Sequence, residues 1–131
     1  MAIDREQVRG WLGGYERAWR SPGIVSLREL FTEDATYSMG PYEKTRKGLS
    51  AIGELWEAER KGPDEKFTMS SEIVATDGDI AVVRVDVDYG PLKKDGYRDL
   101  WLIEFAPDGR CKAFEEWPFW PGRAIVAPDS P

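Results

Sequence analysis

Histidine is absent from the 131 residues, and cysteine occurs once, at Cys111. The first absence excludes Ser-His-Asp and Cys-His nucleophile systems, histidine-held haem and the usual zinc sites. The second excludes an internal disulfide framework and suits a reducing compartment. No window approaches the roughly 18 consecutive apolar residues of a membrane span, so no transmembrane helix is expected. Excess positive charge is also missing. The 18 Lys+Arg against 24 Asp+Glu leave a formal net charge of −6, which argues against nucleic-acid or anionic-membrane binding because phosphate affinity is largely electrostatic. There is no internal repeat, low-complexity tract or Gly-rich phosphate loop. The opening Met1-Ala2-Ile3-Asp4-Arg5-Glu6 becomes charged at once, unlike a secretory signal, and the protein is read as cytoplasmic.

What is present in excess is aromatic surface: six Trp, five Tyr and five Phe, each ring needing a place in a core, a cavity or an interface. Length points to one domain over residues 1–122, followed by a Pro-rich extended tail over 123–131. Asp4 and Gln7 form a capping-box pattern that starts a helix, and Val8, Trp11, Leu12, Tyr15, Ala18 and Trp19 give it one apolar stripe. Gly13 and Gly14 weaken that helix by about 1 kcal/mol each relative to Ala, which suggests close packing or a kink. Ser21-Pro22 can cap a short second helix carrying Ile24, Leu27, Leu30 and Phe31. A strand over 35–39 and a short return strand within 43–47 precede a third helix over 49–61, ended by Gly62-Pro63.

From residue 66 the hydrophobic period changes from about 3.6 to 2. Strands are expected over 66–76, 80–89, 97–106 and 111–119, with Asp77-Gly78 and Asp108-Gly109 as tight turns and a looser turn over 91–96. Helices followed by a meander make an α+β architecture. If Asp77-Gly78 are the two turn residues, Ala75 faces Ile80 and Ser71 faces Arg84. If Asp108-Gly109 are, Ile103 faces Phe114 and Trp101 faces Glu116. Joining the two mostly apolar faces across the loose turn places Arg84, Asp86, Asp88, Asp99 and Glu116 among apolar side chains beneath the helices. Charges are costly there unless paired or wetted, so this cluster is the main functional signal. The opposite face then shows Val83, Val85, Val87, Leu100, Leu102 and Trp117, a patch large enough to serve as a homodimer interface.

Several stretches carry a family resemblance: Tyr15-Glu16-Arg17-Ala18-Trp19, the run from Leu30 to Tyr37, Gly48 through Ile52 to Trp56, Asp77 through Val82, Asp108-Gly109-Arg110 and the closing Glu116-Trp117. Together they resemble the nuclear transport factor 2-like superfamily, which includes SnoaL-like polyketide cyclases, ketosteroid isomerase and limonene epoxide hydrolase. The resemblance implies a cone-shaped fold of three N-terminal helices on a strongly curved antiparallel sheet, a ligand cavity between the layers, and often a dimer. It implies no single reaction, since one fold hosts many chemistries. The isomerase base position falls at Met39-Gly40-Pro41, where no acid stands. Arg84-Val85-Asp86 is similar to the Arg-x-Asp pair of the epoxide hydrolase, Glu116 falls near its second acid, and Tyr37 matches its tyrosine. Met39 stands where that enzyme places a helper Asn.

These readings point to a small-molecule protein with an apolar cavity and to cofactor-free acid/base chemistry of the hydrolase, isomerase, dehydratase or cyclase class. Arg84, Asp86, Asp99 and Glu116 are the candidate catalytic groups: one cation holding acids with separated proton affinities. Tyr15, Trp19, Tyr37, Met39, Trp56, Met69, Trp101 and Phe114 are the candidate substrate-binding residues. No metal and no cofactor are expected, since no acidic loop has ligand spacing. The expected partner is a small apolar or semi-polar molecule, with a second copy on the outer sheet face. A non-enzymatic binder of an apolar ligand and a plain dimerisation module fit the same pattern.

Overall fold

A computed structural model describes residues 2–21, 23–59, 66–89 and 96–122. The expected Gly62-Pro63 stop, most of the loose turn and the 123–131 tail lie outside the described residues. Helix α1 (Arg5–Arg20) begins with the expected capping box, Asp4 accepting from the Gln7 backbone and Gln7 reaching back to the Asp4 N–H. It runs unbroken through its glycines. A Cβ on Gly14 would lie 3.1 Å from Leu30 Cδ2, so close packing on the next element is the reason for that glycine. Two arginines tie the helix to the sheet edge: Arg5 donates to the Ile73 carbonyl at 3.1 Å and Arg20 to the Phe67 carbonyl at 2.9 Å.

Helix α2 is one turn, Leu27–Leu30, and Phe31 already opens strand β1 (Phe31–Ser38). The second helix is thus shorter and the first strand longer than the sequence suggested. Strand β2 is Arg46–Lys47, and α3 is Leu49–Glu59 with Ile52, Gly53, Leu55 and Trp56 buried. The four remaining strands are β3 (Thr68–Asp77), β4 (Ile80–Asp88), β5 (Tyr97–Phe105) and β6 (Cys111–Phe119). They form one open sheet in the order β2-β1-β6-β5-β4-β3, antiparallel except where β1 lies parallel to β6. This is the expected α+β cone architecture. Pro118 is tolerated in β6 because the pairing with β1 has ended at Ser38–Glu115. One core of buried side chains fills the space between the helices and the concave sheet face.

The register decides the site. The β5–β6 pairing is the expected one: Ile103 opposite Phe114 and Trp101 opposite Glu116. The β3–β4 turn is displaced by one residue. Asp77 pairs with Ile80, leaving Gly78 and Asp79 as the turn, with Gly78 at φ +61° and no other residue type at positive φ. Asp77-Gly78 as the central pair of a type I′ turn needs positive φ at both residues, whereas Gly78-Asp79 needs it at the glycine alone. A bulge between Ile73 and Ala75 then shifts the ladder again, so that Glu72, not Ser71, faces Arg84. Across the loose turn, Val85 faces Asp99 and Val83 faces Trp101.

The pairing across the loose turn, opposite in parity to the expected one, inverts β4. Ala81, Val83, Val85 and Val87 point inward and are buried, while Ile80, Arg84, Asp86 and Asp88 point outward and are exposed. The expected inward placement of Arg84 and Asp86 is therefore corrected, as is the placement of Val83, Val85 and Val87 on the outer face. Burying four aliphatic side chains instead of an arginine and two aspartates avoids the desolvation cost of three charges.

Candidate functional site

Strand alternation on β5 and β6 carries Asp99, Trp101, Phe114 and Glu116 to the concave side. Asp99 and Glu116 are 2% and 7% exposed, and are the only Asp or Glu among the described buried residues. Asp99 lies opposite Pro118, and Trp101 opposite Glu116, which makes the two acids diagonal neighbours within side-chain reach. Trp101 Nε1 donates to Asp99 Oδ2 at 3.0 Å, while Asp99 Oδ1 is buried without a hydrogen bond. Tyr37 donates to Glu116 Oε1 at 3.4 Å, and its hydroxyl lies 3.2 Å from that of Tyr15 on α1. A chain of two hydroxyls therefore runs from helix to acid.

Desolvation pushes Glu116 well above the usual carboxylate range, and the charge and hydrogen bonding of Asp99 push it further. Desolvation also raises Asp99, against hydrogen bonds from Glu116 and Trp101 that favour its ionised form. The pair thus keeps a proton above the usual carboxylate range, with burial the main cause at both acids. Tyr15 and Tyr37 are likewise raised, first by burial and then by the Glu116 charge, so both remain hydroxyl donors.

A cavity of about 110 Å³ opens beside Glu116. Tyr15, Trp19, Tyr37, Met39, Trp56, Met69 and Trp101 line it, whereas Phe114 packs behind the wall, 4.6 Å from the Tyr37 ring and 5.1 Å from Trp101. Asp99 stands behind Glu116 and does not line the cavity. Arg84 and Asp86 are outside it. Arg84 pairs with Glu72 at 3.2 Å and Asp86 with Arg98 at 3.7 Å, both on the solvent side. Tyr89, Tyr97, Trp120 and Glu59 also line the cavity, and sequence reasoning passed over them. Tyr97 was legible, since it precedes Asp99 by two residues on the same face. The inward face of β4 was legible too: Val83, Val85 and Val87 alternate with Arg84, Asp86 and Asp88, a pattern that outweighs any parity guessed across a loose turn. Among the described residues no three His, Cys, Asp or Glu side chains converge to hold a metal ion, and no helix is long and apolar enough to cross a membrane.

Residues 12–117 match the SnoaL-like domain family. Solved structures agree on the fold. The epoxide hydrolase/cyclase-like enzyme SalBIII, of pyran ring formation in salinomycin, superposes with a TM-score of 0.69 at 17% identity, covering 91% of this chain and 94% of that one. A steroid delta-isomerase from Pseudomonas aeruginosa gives 0.64 at 18% identity, covering 94% and 83%. An NTF-2 like protein of unknown function from Burkholderia xenovorans gives 0.67 at 14% identity, covering 95% and 97%. Identities this low speak for the fold alone. No curated protein matches the sequence.

Proposed function

The chain belongs to the SnoaL-like domain family, and from that premise we propose that it binds a small semi-polar molecule in the concave cavity and performs cofactor-free proton transfer on it. Solved structures of this fold include an epoxide hydrolase/cyclase-like enzyme and a steroid delta-isomerase. The observation that carries the reading is the burial of Glu116 and Asp99 together with the Tyr15–Tyr37 hydroxyl chain at one cavity wall. Glu116, kept neutral by burial, donates its proton to a carbonyl, ether or epoxide oxygen seated beside it. The carboxylate left on Glu116 then accepts from Tyr37 and serves as base for the returning proton. Asp99 acts through Glu116, and the Trp101 indole N–H holds it in place. Arg84 and Asp86 take no part. Positioned proton transfer of this kind contributes about 10²–10⁴ in rate.

The test is an NMR screen in D₂O of ketones, enones and epoxides with the wild type and Glu116→Gln. Conversion or deuterium uptake by one panel member, lost by about 10²–10⁴ in the variant with affinity retained, supports the assignment. Full turnover in Glu116→Gln removes it. The predominance of rings in the wall favours a second reading, a non-enzymatic binder, which the same screen would reveal as affinity without turnover.

A second copy of the chain on the outer sheet face is part of the proposal. Leu100, Leu102 and Trp117 are half-buried there, Val74 and Ile80 are 43% and 42% exposed, and an open groove of about 460 Å³ runs beside Leu102. The rim carries both signs, Arg84 and Arg98 beside Glu72 and Asp86, so the patch can complement itself across a two-fold axis.

A further inference from the structure

Among the described residues the cavity wall carries ionisable charge of one sign. Among the described residues it includes the carboxyls of Glu59, at the end of α3, and Glu116, and no lysine or arginine. Most of the remaining wall is aromatic and falls into two arcs. On the helix side, Trp56 lies 4.9 Å from Tyr15 and 4.8 Å from Trp19. On the strand side, Tyr97 lies 6.3 Å from Tyr89 and 4.5 Å from Trp120. Ring faces are the negative pole of the aromatic quadrupole and attract cations. One lining ring already shows this: the Arg20 guanidinium sits 3.9 Å over the centroid of Phe67.

An anion entering this cavity would find hydroxyl and indole donors, among them the unpartnered Trp56 N–H, but two carboxyls and no cation among the described lining residues. A neutral molecule would gain from burial alone. A cation gains from burial, from the rings and from the acids. We propose that the ligand is an organic cation, a protonated or quaternary amine on a compact apolar frame, held between the two aromatic arcs with its charge toward Glu116. This rests on the reading of the cavity as a ligand site and adds the charge class of what it takes. An onium group beside Glu116 also supplies the positive neighbour that the buried acid pair lacks among the described residues, now that Arg84 is known to lie on the outer face.

Three probes of similar size and different charge test it: trimethylphenylammonium, its neutral isostere tert-butylbenzene, and benzenesulfonate. Binding is read by tryptophan fluorescence and by NMR shifts of the indole N–H groups. The cation should bind at least about tenfold more tightly than the isostere, the scale of a desolvated cation–π contact, and the sulfonate should not bind. A bound cation favours the ionised form of Glu116, which glutamine cannot supply, so Glu116→Gln, and separately Trp120→Leu at the exposed rim, should each reduce that preference while the melting curve stays cooperative. Equal or tighter binding of tert-butylbenzene would overturn the charge class and leave the cavity as a ligand site. Binding of none of the three would overturn both.

Discussion

Glu116→Gln should stabilise the protein, increasingly so as pH rises. In the wild type the ordinary glutamate value of 4.5 applies to the unfolded chain, while burial and Asp99 raise the group well above it in the folded state. Between those two values the unfolded chain has released the proton and the folded chain keeps it. The folded state then binds one more proton, so wild-type stability declines by about 1.4 kcal/mol for each pH unit crossed. Below about pH 4.5 both states are protonated and the penalty vanishes. Above the raised folded value it stops growing. Glutamine has the same shape, can still accept from Tyr37, and cannot ionise. The variant-minus-wild-type difference in unfolding free energy should therefore start near zero at about pH 4.5 and climb at up to about 1.4 kcal/mol per unit. Taken as melting temperature, that slope is roughly 5 °C per pH unit for a chain of this size. Urea melts of both proteins at about one-unit pH intervals measure it; carboxylates remote from Glu116 cancel in the difference, and Asp99, which is coupled to Glu116, shifts with it. A constant offset across the range would refute the claim that Glu116 is buried and proton-bearing.

Arg84→Ala and Asp86→Asn should change stability by no more than about 0.5 kcal/mol and leave any turnover intact, since both side chains are more than half exposed in solvent-side pairs. Thermal melts and the turnover screen check this. Leu102→Glu should convert a dimer to a monomer by light scattering without lowering unfolding cooperativity, because the residue is half-exposed on the outer face. Gly96→Ala should destabilise by about 1–3 kcal/mol in denaturant melts, since its Cβ would stand 2.8 Å from the Val87 carbonyl oxygen, a backbone atom that cannot rotate aside. Cys111 is fully buried, with its thiol pushed up to about 12 by burial. It should resist alkylation until the protein unfolds, as mass spectrometry after iodoacetamide treatment would show.

Much of the fold was legible because its signals are local. The Asp4–Gln7 cap, the stripe from Val8 to Trp19, the helix through Ile52 and Trp56, and the turn at Asp108-Gly109 each depend on residues within a few positions of one another. The β5–β6 register is the one a two-residue Asp108-Gly109 turn implies, and with it the inward placement of Asp99, Trp101 and Glu116, although the loop is longer: Gly109 donates to the Ala106 carbonyl and a shift between Glu104 and Phe105 restores the pairing. The site was only partly legible. One change of parity in the β4–β5 pairing across the loose turn was enough to bring Val83 and Val85 inward and carry Arg84 outward, because side chains alternate faces along a strand.

The sequence by itself determined the order of helices and strands, the lack of histidine chemistry, and the inward side of the last hairpin, with Asp99 and Glu116 on it. Only tertiary structure decided which face of β4 meets the core, which rings enclose the cavity, and that no guanidinium neutralises Glu116 and Asp99 from that strand. Propensity and period act over a handful of neighbouring residues. Cross-strand register and proton sharing depend instead on groups far apart in the chain, whose proximity comes from packing the whole core at once.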